Sequence, residues 1–281
     1  MNFFEKVNNF LVSQDLKHDS LSAWETYLGE AIWGWELIRN DIDSLVAGSR
    51  VLEVGAGPQV LTSQVALQDL VVTAIEPANQ GFSVMKELGI KVTEAAKQEG
   101  IKYKFIETTG EKYVEPDEFD FAFSINVMEH VEDLNLVLDN VITSLKVGGK
   151  YHFVCPNYAF PFEPHFNSVT LLNKRLTDKF IKPRLLTASS NLEAHGLWDS
   201  LNWITVRKIL RWGKSRNNVK IVFSNRSFNM YVIRSMSDQT FRMRHPKLSK
   251  FTEPFQKLIN VFSIVVPKRF LPIIDVTITK I

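Results

Sequence analysis

The amino-acid sequence predicts an α/β protein built around a parallel, wound β-sheet. Three observations support this fold class. Short apolar runs alternate with helical patterns from about residue 50 to residue 155. The first apolar run ends in a glycine-rich turn that leads directly into a helix. The chain has 281 residues, 45% of them hydrophobic, which is enough for one large core.

The predicted elements follow in chain order. Two helices come first, at 22–38 and 41–46, and Gly48 is the expected stop signal for the second. The predicted strands of the alternating part are 50–54, 70–75, 103–107, 119–124 and 150–155. The helices between them are 60–67, 80–88, 92–99 and 134–145, the last of which runs into the glycine pair 148–149.

The regularity stops after residue 155. Residues 157–201 carry several prolines and aromatic residues and are predicted to form an insertion. A basic helix at 203–212 and a strand at 219–223 follow, then a helix at 253–261 and a terminal strand at 273–281. We therefore expect one main domain in four segments: an N-terminal helical cover (1–48), a nucleotide-binding core (49–157), a substrate-side insertion (158–201) and a basic C-terminal completion of the sheet (202–281).

Cysteine usage and hydropathy predict the cellular location. Cys155 is the single cysteine, so an intrachain disulfide is impossible and a reducing compartment is expected. The N-terminus lacks the basic start and unbroken apolar core of a signal peptide. The longest apolar stretches, such as 262–267, are far shorter than the roughly 20 residues that span a bilayer. The sequence therefore predicts a cytoplasmic protein without a transmembrane helix.

The two halves of the chain carry opposite charge. Residues 1–140 hold 24 acidic and 10 basic residues, whereas residues 141–281 hold 7 acidic and 23 basic residues. Between 207 and 250, twelve basic residues face one acidic residue, Asp238. Two interpretations stay open: a surface that pairs with the acidic half, or a binding surface for an anionic substrate, an anionic membrane or nucleic acid.

A nucleotide-binding pattern lies at the first strand-to-helix turn. Glu53, Gly55 and Gly57 stand where a ligand can approach the backbone closely. Glu76 ends the second strand, where a carboxylate can accept hydrogen bonds from both hydroxyls of a ribose. The third glycine of a GxGxxG motif and a Gly-Lys-Ser/Thr loop are both lacking. The pattern thus favours an adenosine-containing cofactor over a dinucleotide, and it argues against nucleotide triphosphate hydrolysis.

Four ordered blocks make the chain resemble the class I S-adenosylmethionine-dependent methyltransferases, particularly the small-molecule branch with the quinone-biosynthesis enzymes. The blocks lie at 51–58, 75–77, 119–131 and 145–154. The resemblance implies a Rossmann-like, seven-stranded methyltransferase sheet with N-terminal helices and an insertion after the fifth strand. It also implies that S-adenosyl-L-methionine is the cofactor and that residues 49–157 bind it.

The resemblance also implies which residues of this sequence bind the cofactor. Glu53, Gly55 and Gly57 would form the cofactor turn, and Glu76 with Pro77 would hold the ribose. Thr109 stands at the position that is usually acidic in the loop lining the adenine, so backbone contacts are expected there. The remaining cofactor positions that the resemblance implies are Gly110, Glu111, Asn126 and Val127.

The Glu129–His130 pair also matches this branch. Some ubiquinone O-methyltransferases add a glutamate three residues earlier and so form a metal site, but this chain has Asn126 there. A hard divalent cation would prefer the missing carboxylate. The expectation is therefore no metal, with Glu129 and His130 bracing the active-site loop.

The loop after the fifth strand holds the candidate catalytic residues. His165 is the best candidate for the base that takes a proton from the acceptor, with Glu163 orienting it or contacting the acceptor. A structural role for both stays open, because the surrounding prolines and aromatic residues also suit a loop that packs on itself. His195 is a second candidate, and His18 and His152 are less informative. Cys155 is not expected to act as a nucleophile.

The combined interpretation is O-methylation of a hydroxyl on a sugar, a glycan or another small molecule, and the basic half of the chain favours an anionic acceptor. The alternative acceptor is a lipid or quinone, because residues 251–274 are apolar with basic flanks and could contact an anionic membrane. A different class of function also stays open, in which the protein is a noncatalytic subunit that binds the cofactor. Nucleic acid is a third and less favoured acceptor.

Overall fold

The computed structural model describes residues 2–14, 18–77, 83–187, 192–238, 242 and 265–281. The strands of these residues are β1 (Arg50–Val54), β2 (Val71–Glu76), β3 (Lys104–Glu107), β4 (Phe119–Ile125), β5 (Leu145–Pro156), β6 (Phe162–Glu163), β7 (Ser168–Val169), β8 (Val219–Phe223) and β9 (Ile273–Lys280). One sheet has the strand order β3-β2-β1-β4-β5-β9-β8, and β6 and β7 form a separate hairpin. The predicted seven-stranded sheet is confirmed.

Helices precede the sheet and connect its strands. They are α1 (Phe3–Val12), α2 (His18–Asp43), α3 (Val60–Ala66), α4 (Ser83–Gln98), α5 (Leu134–Ser144), α6 (Lys174–Phe180), α7 (Lys182–Thr187), α8 (Leu192–Ser200), α9 (Val206–Lys214), α10 (Arg226–Ser237) and the 3-10 helix η1 (Lys268–Phe270). None of the helices in the described ranges is long and apolar enough to cross a membrane.

The first four strands pair in parallel, as the alternation of strands and helices predicts. β1 lies between β2 and β4, and β2 pairs with β3 on its other side. β1 is buried over its last four residues, and β4 is buried at five of its seven positions. Strands covered on both faces read as continuous apolar runs in a sequence, which is why periodicity identifies them here.

Two pairs of predicted helices turn out to be single helices. The predicted helices 22–38 and 41–46 are wrong as separate elements, because α2 continues to Asp43, and Arg39 lies within 3.9 Å of Glu36 and Asp43 on the same face. The predicted helices 80–88 and 92–99 form α4, although residues 80–82 lie outside the described part. Gly89 lies inside α4, where a glycine lowers helix stability by about 1 kcal/mol but does not end the helix.

The glycine pair 148–149 lies within β5, so the prediction that it only separates a helix from a strand is wrong. β5 begins at Leu145, directly after α5. A Cβ atom on Gly149 would lie 2.9 Å from the carbonyl oxygen of Lys146 and 3.2 Å from those of Phe119 and Asp120. Close approach of the neighbouring backbone therefore requires a glycine at this position.

The end of the chain departs from the prediction in other ways. The predicted basic helix begins at Val206 rather than at 203, because the Thr205 side chain accepts a hydrogen bond from the Lys208 backbone N–H and caps the helix. Several helices were not predicted, namely α1, α10, the 3-10 helix η1 and the three helices of the insertion, α6, α7 and α8. The predicted helix 253–261 and most of the apolar segment 251–274 lie outside the described residues.

The chain divides into two compact units. The first unit comprises residues 1–125, 136–152 and 279–281, and its fully buried side chains include Trp24, Leu52 and Phe121. The second unit comprises residues 126–135 and 153–278, and its fully buried side chains include Phe153 and Trp198. Each unit combines separate stretches of the sequence, and the division into four segments stays a prediction.

Candidate active site

The glycine turn, residues 53–59 of the first unit, connects β1 to α3. Gly55 and Gly57 both have positive φ angles, +79° and +49°, which side chains rarely tolerate. The backbone N–H groups of Gly55 and Ala56 both donate to the carbonyl of Ile75, at 2.9 and 3.1 Å. The turn is therefore fastened to the end of β2, next to Glu76.

Glu53 is a buried carboxyl group at the start of the glycine turn. It is 4% exposed, and its Oε2 accepts a hydrogen bond from the Thr62 hydroxyl on α3. Burial raises the pKa of Glu53 to about 8; the Thr62 hydrogen bond opposes this shift, and the nearby Glu76 carboxylate adds to it. Without a ligand, Glu53 is therefore largely protonated at neutral pH.

Glu76 lies at the carboxyl end of β2 and reaches the same turn. Its Oε2 accepts a hydrogen bond of 2.9 Å from the backbone N–H of Gly57, the contact that the nineteen-residue spacing allows. Burial raises the pKa of Glu76 to about 7, and the Gly57 hydrogen bond limits the rise. Pro77 follows directly in the chain. The structure thus brings Glu53, Gly57 and Glu76 together, as the sequence motifs suggested.

The loop after β3 joins the same edge of the sheet. The backbone N–H of Thr108 donates to the Glu76 carbonyl at 3.1 Å, and Thr109 begins a turn that is closed by hydrogen bonds from the two residues after Glu111. Asn140 of α5 donates to the carbonyls of Gly110 and Glu111 at 3.0 and 2.8 Å. Sequence reasoning missed Asn140, because an asparagine inside a helical pattern has no distinguishing signal.

Asn126 and Val127 follow β4 and belong to the second unit. Asn126 has a φ of +56°, a conformation that asparagine adopts more readily than most residues, and its backbone N–H donates to the Val154 carbonyl at 2.8 Å. This backbone geometry is typical of functional loops. Contact of both residues with a cofactor stays a prediction.

Glu163 and His165, the predicted catalytic pair, are in direct contact. The Nδ1 of His165 lies 2.6 Å from Oε1 of Glu163, at the end of the β6–β7 hairpin. The same carboxylate accepts hydrogen bonds from the Tyr158 hydroxyl at 3.1 Å and from the Phe166 backbone N–H at 2.7 Å. Glu163 is fully buried, while the His165 side chain is 25% exposed.

The electrostatics of Glu163 differ from those of the glycine turn. Burial by itself would raise the pKa of Glu163, but the hydrogen bond and charge of His165, with backbone N–H donors, hold it below its usual range. Glu163 is therefore ionised and accepts the Nδ1 proton of His165. When the His165 ring is neutral, the lone pair that can take a proton is then on Nε2.

Glu129 and His130 lie in a turn near the same histidine. The His130 and His165 rings meet edge to face, with centroids 5.1 Å apart. Nε2 of His130 lies 3.8 Å from Oε1 of the fully buried Glu129. Burial lowers the pKa of His130 to about 3, helped by the nearby His165, so the ring is neutral and does not form an ion pair with Glu129.

Asn202 holds the turn of Glu129 and His130 in place. Its side-chain Nδ2 donates to the carbonyls of Met128 and Val131 at 2.7 and 2.9 Å, and its backbone N–H donates to the Glu129 carbonyl at 2.8 Å. Ser200, two residues earlier, contacts Nδ1 of His130 at 2.9 Å. The end of the insertion and the residue that follows it thus position the turn, which the sequence did not reveal because the partners lie about 70 residues apart.

The other histidines and the cysteine have different surroundings. His195, the second candidate, lines a cavity with Lys182, Pro183 and Leu186. His152 is buried, and its Nδ1 lies 2.9 Å from Asp41 of α2. The side chain of His18 lies outside the described part. Burial, together with the charge of Glu129, raises the pKa of Cys155, and a buried protonated thiol is a poor nucleophile.

A polar cavity in the second unit is lined by some of the basic residues of the C-terminal half. Its walls include Lys208, Arg211 and Arg216 of the α9 region, and also Glu132 and Asp133. Asn202, which braces the Glu129 turn, lines the same cavity. Burial lowers the pKa of Lys208, followed by repulsion from Arg211. Glu132 and Asp133 belong to the acidic half of the sequence, so this cavity brings side chains of both halves together, and both interpretations of the basic charge stay open.

Comparison with known sequences points in one direction. A sequence model of the methyltransferase domain family matches residues 35–209. An uncharacterized protein of Mycobacterium tuberculosis is 33% identical over 253 residues, which cover 89% of this chain and 85% of that protein. A ubiquinone biosynthesis O-methyltransferase of Pseudomonas fluorescens is 28% identical over 183 residues, 61% of this chain and 72% of that protein.

Solved structures share the fold at low identity. A geranyl diphosphate methyltransferase in complex with S-adenosylmethionine covers 89% of this chain and 85% of its own, with a TM-score of 0.53 and 14% identity. Phosphoethanolamine N-methyltransferase 2 of Haemonchus contortus, also with S-adenosylmethionine, covers 86% of this chain, with a TM-score of 0.50 and 14% identity. The present chain spans 50% of that longer protein. At such identities the likeness concerns the fold.

Proposed function

Because the chain belongs to the class I S-adenosylmethionine-dependent methyltransferases, we propose that it methylates a hydroxyl oxygen of a sugar, a glycan or another small molecule. The observation that carries the proposal is the Glu163–His165 pair, in which a buried carboxylate orients an imidazole at 2.6 Å. A hydroxyl must lose its proton when its oxygen accepts a methyl group. A histidine held by a carboxylate is suited to take that proton.

The glycine turn fits S-adenosylmethionine, which supplies an electrophilic methyl group on a sulfonium. Glu76 stands at the end of β2, where a carboxylate can accept hydrogen bonds from the ribose hydroxyls. Gly55 and Gly57 keep the backbone open to the ligand, and a Cβ on Gly57 would point toward Met85 of α4 at 3.8 Å. Glu53 is proposed to lie near the methionine end, where the positive ammonium group would favour its ionised form.

The proposed reaction needs no covalent enzyme intermediate. The acceptor oxygen forms a bond to the methyl carbon, the carbon–sulfur bond breaks with its electron pair remaining on sulfur, and the hydroxyl proton passes to Nε2 of His165. Glu163 stabilises the resulting imidazolium through Nδ1. Alignment of the acceptor with the methyl group supplies most of the rate enhancement, and proton removal adds to it.

Two observations support the class of acceptor. The sequence relatives include O-methyltransferases, which favours oxygen over nitrogen or carbon as the methylated atom. Lys208, Arg211 and Arg216 line a cavity of the unit that holds His165. These three cations outnumber the two acidic residues of the same cavity, Glu132 and Asp133, which favours an acceptor with an anionic group. A lipid or quinone acceptor is the second candidate, favoured by the ubiquinone biosynthesis relatives.

The test is a labelling experiment with a host extract. Purified protein and methyl-labelled S-adenosylmethionine are incubated with the extract after its separation into small-molecule, glycan, lipid and RNA fractions. The Glu76→Ala variant is the control for cofactor binding, and His165→Ala is the control for proton transfer. Label in the small-molecule or glycan fraction that both variants fail to produce is the expected result.

The alternative results have distinct meanings. Label in the lipid fraction would replace the proposed acceptor by the second candidate. Label in the RNA fraction would contradict the acceptor class. Cofactor binding without label in any fraction would favour a noncatalytic subunit over an enzyme.

A further inference from the structure

We propose that Glu129, His130 and His165 form a binding site for a divalent transition-metal ion that coordinates the acceptor hydroxyl. One ligand atom from each side chain lies within 4.8 Å of the other two. The residues come from two separate segments, the turn after β4 and the hairpin after β5. This inference deepens the proposed function, on which its role in methyl transfer rests.

The orientation of both histidine rings supports the site. Nδ1 of His165 donates to the Glu163 carboxylate at 2.6 Å. Ser200 donates its own hydroxyl proton to the Leu197 carbonyl at 2.8 Å, so its Oγ accepts the Nδ1 proton of His130 at 2.9 Å. In both rings the lone pair is therefore on Nε2. Histidines that bind metals commonly have this arrangement, with the other nitrogen donating to a carboxylate or another acceptor.

The third side chain, Glu129, supplies a carboxyl group. Glu129 is fully buried, its Oε1 lies 3.8 Å from Nε2 of His130, and its backbone is fixed by Asn202. A buried carboxylate is stabilised by a nearby cation. In a tetrahedral site with metal–ligand bonds of about 2.1 Å, the ligand atoms lie about 3.4 Å apart. Side-chain rotations that move these atoms by roughly an ångström would bring the three ligand atoms to this spacing.

The donor set indicates which ions fit. Two imidazole nitrogens with one carboxylate suit zinc, iron(II) or cobalt(II), whereas magnesium and calcium prefer oxygen ligands. The missing carboxylate at Asn126, on which the expectation of no metal rested, matters for a magnesium site but not for this one. His165 lies thirty-five residues after His130, so the sequence does not show that the two side chains are neighbours.

Three protein ligands leave at least one coordination position for the acceptor. The side chains of His130 and His165 are each 25% exposed, so an ion held by them is accessible to a ligand from solvent. A hydroxyl bound to the ion loses its proton more easily, and that proton passes to water. In the metal-bound protein, Nε2 of His165 is a metal ligand and no longer takes the proton. The ion then promotes proton loss from the hydroxyl in place of His165.

The test measures metal binding directly, without activity. Full-length protein is freed of metal with a chelator and titrated with cobalt(II), whose visible absorption reports the ligand geometry. The expected result is a single site with a low-coordinate spectrum, from which zinc displaces cobalt and excess magnesium does not. His130→Ala and His165→Ala should weaken cobalt binding at least tenfold, and Glu163→Gln by about tenfold through the loss of ring orientation.

His195→Ala is the matched control, because His195 lines a different cavity of the same unit. Equal cobalt binding by the wild type and the cluster variants, or no binding by the wild type, would overturn the metal site. X-ray absorption of the zinc-loaded wild type covers the case in which a variant fails to fold. Two imidazoles with oxygen ligands support the site, and a sulfur ligand contradicts it.

The two proposals fail in different ways. Methyl transfer that survives chelation in a protein that does not bind cobalt would overturn the metal site and leave the proposed function intact. Cobalt binding that depends on His130 and His165, in a protein that methylates no fraction, would support the site and contradict the proposed function.

Discussion

The glycine turn and the β6–β7 hairpin both bury carboxyl groups, yet the protein treats these groups in opposite ways. Glu53 and Glu76 have raised pKa values, because burial outweighs one hydroxyl donor for Glu53 and one backbone donor for Glu76. Glu163 has a lowered pKa, because an imidazole and backbone N–H groups compensate its burial. Groups of the protein itself therefore compensate the charge of Glu163, whereas the two carboxyl groups of the glycine turn are compensated only in part.

Removal of the His165 imidazole from the hairpin should have the strongest effect. His165→Ala should reduce methyl transfer by about a hundredfold or more, because the acceptor proton then has no acceptor at that position. The affinity for S-adenosylmethionine should not change. The measurement is methyl incorporation into the labelled fraction, together with calorimetric titration of the cofactor. Methyl transfer at near-normal rates in His165→Ala would indicate that His165 has only a structural role. A hundredfold loss of methyl transfer in His195→Ala would instead favour His195 as the base.

Removing the carboxylate of the turn should produce the next largest effect. Glu76→Ala should weaken S-adenosylmethionine binding by roughly 1.5 to 3 kcal/mol, because hydrogen bonds from the ribose to a charged group are lost. Isothermal titration measures the change, with Glu163→Gln as a control that should bind the cofactor normally. Unchanged affinity of Glu76→Ala for S-adenosylmethionine would contradict the assignment of Glu76 to the ribose hydroxyls.

The raised pKa of Glu76 predicts a pH dependence of cofactor binding. Only the ionised carboxylate accepts both ribose hydroxyls, and the pKa of Glu76 is about 7 in the ligand-free protein. Affinity should therefore rise by about tenfold between pH 6 and pH 8. The same titration with Glu76→Gln corrects for ionisation of the cofactor itself. An equally steep profile in that variant would show that another group causes the dependence.

A weaker effect is expected on the stability of the ligand-free protein. The pKa of Glu53 is about 8 in the fold and near 4.5 in the unfolded chain, so the folded state binds the extra proton between these values. The free energy of unfolding of the ligand-free protein should fall as pH rises through that window. Glu53→Gln removes this contribution, and its melting temperature should exceed that of the wild type by a few degrees at pH 8 but not at pH 5. An equal difference at both pH values would contradict the raised pKa.

The two regions also differ in how much of them the sequence predicts. The glycine turn is formed by segments that follow one another closely in the sequence: a strand, two glycines and the end of the next strand. As expected from this order, Glu76 is hydrogen-bonded to Gly57 in the structure. The hairpin pair Glu163–His165 is local too, and its contact is observed. The partners of Glu129 and His130 lie far along the chain, so no spacing rule could find Asn202 or Ser200.

The fold shows the same division. Buried parallel strands give continuous apolar runs, and β8 at Val219–Phe223 has the predicted bounds. Helix boundaries were less predictable, because continuity depends on contacts that periodicity does not show. In α4 the buried residues Leu88 and Val92 lie on either side of Gly89, and together they form one face of a single helix.

The division of labour between the glycine turn and the hairpin is tested most directly by comparing Glu76→Ala with His165→Ala, with cofactor affinity and methyl transfer measured on the same preparations. Glu76→Ala should lose affinity for S-adenosylmethionine, while His165→Ala should keep this affinity and lose methyl transfer. If both variants bound the cofactor and transferred methyl groups like the wild type, the assignment of binding to the turn and of proton removal to the hairpin would be contradicted.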